Sequence, residues 1–188
     1  MIWNKDLKEL IIPVITVVST RKGFPFKLVA AALMGLIAAI LQAAGGVIPG
    51  IGMVISPFST APIIISMLIS PLFGFLSYLL TIFLLLLIQP SELIIFPFTT
   101  GSMAIGIGLG LILFNKGWKV ITFSSLFLSL GIFLLLYIFQ FPVLGPFLIE
   151  FKVWNIILIY SLSLLYCWFW IELILRLLRP WVRPWGRF

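Results

Sequence analysis

The side chains able to do chemistry are few: 188 residues carry five Asp and Glu, one Cys and no His. Without imidazole there is no Ser–His or Cys–His relay and no His-based metal cage. The single Asp is Asp6, so the two membrane aspartates of an intramembrane aspartyl protease are missing as well. The chain therefore reads as a non-enzyme, with no metal and no other cofactor. Cys167 sits in an apolar run, where burial suppresses the reactive thiolate, and reads as packing. What remains is hydrogen-bond chemistry. Gln89 and Glu92 lie in one polar and aromatic stretch, and Gln140, Glu150, Trp154 and Asn155 gather around the ends of two later apolar runs, beside Phe147 and Tyr160. Polar groups among aromatic walls describe a small-ligand pocket; they equally describe an interfacial aromatic belt. Glu92 could orient a ligand's amine or hydroxyl, or be a solvated loop charge. Glu172 and Arg176, four apart, read as an ion pair.

The elements that must position these groups follow from composition. Apolar residues make up 63% and charged residues 9%, against roughly 45–50% and 25% in soluble domains. Such a surface is solvated by a bilayer, so the fold class is an all-α integral membrane protein. Hydropathy marks segments at 27–44, 58–70, 72–89, 99–114, 120–141 and 153–175, giving six crossings. The second is shorter than the roughly 20 residues a helix needs to span hydrocarbon, so it must borrow from its flanks or be irregular. Eleven of the twelve basic residues lie before the first crossing, at Lys116 and Lys119, or after the last crossing. Only Lys152 falls on the other side. The positive-inside rule then places both termini in the cytoplasm and the Glu92 and Glu150 connections outside. Residues 1–26 read as an amphipathic interfacial segment or an ordinary lead-in, 27–175 as the membrane domain and 176–188 as a basic Trp/Pro tail.

Some stretches carry more than hydrophobicity. Ala31, Gly35 and Ala39 fall at spacing four on one face of the first crossing, where a helix could pack closely, either inside the bundle or on a partner. Residues 45–57 hold four glycines and two prolines without a charge. They are expected to form an irregular outward loop folded over the bundle as a lid, since irregular backbone at membrane depth is tolerated only where it is buried or lines a cavity. Gly106-Ile-Gly-Leu-Gly is no phosphate loop, because no strand precedes it and no Lys-Ser/Thr follows it.

Six short crossings, termini inside, the small-residue face, the Pro/Gly connection and the tight turn at Ser70-Pro71 together resemble the membrane-embedded substrate-binding (S) components of energy-coupling factor (ECF) vitamin transporters. The resemblance rests on architecture from Lys27 to Arg176 rather than on a diagnostic motif. It implies a multi-pass protein of a bacterial or archaeal plasma membrane that captures a small organic nutrient outside. It implies docking through Ala31, Gly35 and Ala39 on a coupling transmembrane subunit served by ATPase subunits, with membrane lipid around it and no nucleic acid partner. Gln89, Glu92, Gln140, Glu150, Trp154 and Asn155 are the substrate-binding expectation. The nickel and cobalt branch of the family holds metal with an N-terminal Met and a His, and this chain has no His. A structural or assembly subunit of a larger membrane complex is the alternative reading.

Overall fold

The computed structural model of the chain describes Leu7 and residues 23–48, 50–145 and 152–182. Most of the amphipathic segment before Gly23, Pro49, Glu150 and the end of the basic tail lie outside the described residues. Of that segment, Leu7 is fully buried and its N–H donates to the Asn115 carbonyl at 2.9 Å.

The described residues are helical. Six helical stretches are long and apolar enough to cross a membrane: Phe24–Val47, Ile51–Ile69, Pro71–Ile88, Glu92–Leu113, Gly117–Ile138 and Val153–Leu178. We label α1 Phe24–Val47, α2 Ile51–Ile55, α3 Thr60–Ile69, α4 Pro71–Ile88, α5 Glu92–Phe98, α6 Thr100–Leu113, α7 Gly117–Phe133 and α8 Val153–Val182. Pro25 and Pro71 stand in the first turns of α1 and α4, where a missing N–H leaves no helix bond unmade. A 3-10 turn, Ser56–Ser59, joins α2 to α3, and a π turn, Leu134–Ile138, ends α7.

Two expectations about connections are corrected. The described residues of 45–57 are mostly helical and form no irregular flap. Here α1 runs on to Val47 and α2 begins at Ile51, so the short second crossing borrows its missing length from the supposed lid. Nor does this stretch fold over the bundle: Ile51, Met53 and Val54 point outward at 67–72% exposure, while Gly52 packs so closely that a Cβ there would overlap the Ala44 carbonyl. In hydrocarbon every backbone amide needs an internal partner, and a helix supplies it where a loop does not. Likewise, the fourth crossing starts at Glu92 rather than Thr99, with α5 taking up most of the presumed connection.

In the bundle α1 packs on α4, α3 on α4 and α6, α6 on α7, and α7 on α8. Small residues and hydroxyls make these approaches. Ser77 donates to the Ala31 carbonyl at 2.7 Å and Thr81 to the Gly35 carbonyl at 3.0 Å, tying α4 to α1. Ala31 and Gly35 are buried in this seam, Ala39 is buried on the same helix, and a Cβ on Gly35 would lie 2.9 Å from the Ser77 carbonyl oxygen. The expected docking face is therefore occupied by the chain's own fourth helix. Gly35→Leu should destabilise the isolated chain by roughly 2 kcal/mol, the usual scale of overpacking, read as a lower unfolding midpoint in nanodiscs. An unchanged midpoint with loss of partner binding would return this face to docking.

Candidate functional site

The site begins with one amide in an alanine-rich helix. Gln42, 2% exposed, is the buried polar side chain of α1, and three distant segments converge on it. Its Nε2 donates to Glu92 Oε2 at 2.7 Å, while its Oε1 accepts from Ser59 Oγ at 2.7 Å and from Thr100 Oγ1 at 3.0 Å. The partners come from the 3-10 turn and the starts of α5 and α6, so the cluster joins four elements. Glu92 is 8% exposed, buried rather than solvated, and no cation pairs with it among the described residues. Glycine makes the burial possible. A Cβ on Gly45 would lie 3.1 Å from both Glu92 Oε1 and Ser56 Cβ, and one on Gly46 would overlap the Gln89 amide. Acidic groups sequestered in membrane segments are costly and concentrate at functional positions.

Below the cluster the fourth crossing is broken. Pro97 has no N–H for the Leu93 carbonyl, and Thr99, at φ −119° and ψ −96°, leaves the helical region between α5 and α6. The break is held by its neighbours. Tyr78 donates to the Pro97 carbonyl at 3.3 Å and stacks on Phe96, and a Cβ on Gly131 of α7 would overlap the Phe98 carbonyl. Thr99 Oγ1 closes the local turn by donating to the Ile95 carbonyl at 2.8 Å.

Beside the break lies a cavity of about 380 Å³ between α5, α6, α7 and α8. Ile95, Leu128, Ile132 and Leu162 form its walls, Val143 and Leu144 of the connection after α7 also line it, and it is open on one side. Thr99, Thr100, Ser163 and Tyr166 also line it, though its exposed surface is almost wholly apolar. Thr100 belongs to both features, facing the cavity and donating to Gln42. The volume falls within the range typical of small-molecule sites. Discontinuous membrane helices flanking a cavity are also the arrangement by which transporters present backbone and short polar side chains to cargo.

The residues expected from sequence are only partly gathered here. Glu92 belongs to the Gln42 cluster and Gln89 lies beside it against Gly46, its Nε2 donating to Ser91 Oγ at 3.0 Å. Gln140 is exposed and holds a left-handed φ of 52°, and Trp154 is 72% exposed, as a belt residue would be. Asn155 is buried at 8% but does not line the cavity. Those three do not join the Gln42 cluster, and Glu150 lies outside the described residues. Gln42, Ser59, Thr99, Thr100, Ser163 and Tyr166 are additions from the structure. One signal for them was present: Gln42 is the lone amide within a helix otherwise built of Ala, Gly and aliphatic residues from Leu28 to Val47 apart from Met34. Glu172 does pair with Arg176, at 3.0 Å. Among the described residues no three His, Cys, Asp or Glu side chains gather as a metal set. No protein-family model, curated protein or solved structure matches this chain.

Proposed function

We propose that this protein is the membrane-embedded substrate-binding subunit of a multi-subunit ATP-driven importer, taking up a small organic molecule at the end of the bundle that carries Glu92. The observation that carries the reading is the 380 Å³ cavity set at the break of the fourth crossing and linked through Thr100 to the buried Gln42–Glu92 pair. A buried carboxylate joined through Gln42 and Thr100 to the lining of a cavity favours this reading over a purely structural subunit. The distribution of basic residues supports an outward-facing site, since Lys116 and Lys119 lie at the opposite ends of α6 and α7 from Thr99 and Ile132. The resemblance to S components of ECF transporters supports the division of labour, with nucleotide hydrolysis left to partner ATPases. Docking on those partners does not use Ala31, Gly35 and Ala39 while the α1–α4 seam is intact.

Affinity purification in mild detergent tests the assembly. A coupling membrane subunit and two ATPases should co-purify with the tagged chain, and thiol labelling at Lys116→Cys should occur only after the cells are permeabilised. Recovery of a different membrane complex without ATPases would favour the structural reading, and labelling of Lys116→Cys in intact cells would invert the orientation.

A further inference from the structure

We infer that the turn between α6 and α7 forms a pocket for the phosphate headgroup of an anionic phospholipid. This site is separate from the cavity beside Pro97 and does not depend on capture. The turn is three residues long, Phe114 to Lys116, between two stretches long and apolar enough to span hydrocarbon, Glu92–Leu113 and Gly117–Ile138. Backbone that leaves the helix at the end of two such spans belongs at the boundary with the headgroups, where polar groups find partners. Trp118, 42% exposed, marks the same depth, as indole rings do at membrane interfaces.

At this turn lies a pocket of about 250 Å³ lined by Leu113, Phe114, Asn115, Lys116 and Lys119. Its chemistry is divided as a phospholipid's is. Leu113 and Phe114 give it an apolar side, and Leu113, 59% exposed, carries that side out to the surface. Lys116 and Lys119 bring two cationic side chains to the same pocket, three residues apart at the start of α7. Neither pairs with a carboxylate among the described residues: Glu172 is taken by Arg176 at 3.0 Å, and Glu92 lies at the far end of its span. The Lys119 Nζ stands 5.6 Å from the Trp118 ring centroid, a contact that brings no net negative charge. Two ammonium groups beside one pocket repel each other until an anion stands between them. A phosphate supplies that anion, and lysine binds phosphate as a point charge. A zwitterionic headgroup carries an ammonium of its own, which these lysines repel, so the pocket favours lipids whose headgroup is net negative. Basic pockets between membrane helices serve anionic headgroups in this way.

The test is native mass spectrometry of the full chain released from mixed micelles that hold equal amounts of phosphatidylglycerol and phosphatidylcholine with the same acyl chains. The wild-type chain should retain one phosphatidylglycerol at least about fivefold over phosphatidylcholine. Lys116→Gln and Lys119→Gln should each lower that retention about fivefold, the scale of one basic residue at a membrane surface. Lys27→Gln removes the same charge from the start of α1, outside the pocket, and should leave retention unchanged. An equal loss from Lys27→Gln, or equal retention of the two lipids, overturns the site and leaves only a general attraction of basic side chains for anionic lipid. A second arm separates lipid from free anion. Excess inorganic phosphate should not displace the retained phosphatidylglycerol, because the apolar side of the pocket holds the lipid as well. Displacement by phosphate alone would assign the pocket to a soluble anion and overturn the lipid assignment.

Discussion

Gln42→Leu should remove on the order of 3 kcal/mol or more of stability, although Leu has nearly the volume of Gln and sits comfortably in a membrane helix. One substitution breaks three hydrogen bonds at once. Glu92 loses the N–H at 2.7 Å that compensates its burial, and Ser59 and Thr100 lose the shared acceptor. Each buried polar group left without a partner costs about 1–3 kcal/mol, and a charged one more. Unfolding of the chain in nanodiscs, followed by tryptophan emission, reads the change. The double variant Gln42→Leu with Glu92→Leu should recover part of the loss, because no carboxylate is then buried alone; such non-additivity is the mark of a shared network. A Gln42→Leu protein within about 0.5 kcal/mol of the wild type, the usual range of a neutral surface change, would mean that the four side chains are not joined as described.

How far the fold was legible in the sequence follows from what hydropathy can and cannot report. Six apolar runs were readable because each must satisfy its own backbone in lipid, and that requirement acts on every residue of a crossing. The places where the reading failed are where glycine and proline mean something different in a membrane. Gly45, Gly46 and Gly52 looked like loop residues, yet they are where Glu92, Gln89 and the Ala44 carbonyl come close. Pro97 fell within the presumed connection before Thr99 and instead breaks a helix already begun at Glu92. The Ala31–Gly35–Ala39 stripe was correctly a close-packing face, but spacing alone cannot say whether the neighbour is the chain's own α4 or another protein.

The site was less legible than the fold. Gln42 meets partners 17, 50 and 58 residues away, separations that no local periodicity reveals. Ser163 and Tyr166 sit among similar residues along α8, and only the packing of that helix decides that these two face the cavity while Trp154 does not. Glu92 was visible as a rare acid, whereas its burial depends on Gly45 leaving room for it.

Filling the cavity should abolish capture without unfolding the protein. Ser163 lines the cavity with Leu128, Ile132 and Leu162 but is only 1% exposed, so the ring of Ser163→Phe reaches that space by displacing packed neighbours, at a cost of about 1–3 kcal/mol. Its expected effect on binding is complete loss, with an unfolding midpoint lowered by that overpacking but a protein still folded under the assay conditions. The most direct measurement is mass spectrometry of small molecules retained by the chain after transfer from cells grown in rich medium into nanodiscs, comparing wild type with Ser163→Phe. A discrete small molecule is expected in the wild-type sample and is absent from the filled variant. Identical sets of retained molecules in the two samples would contradict capture in this cavity.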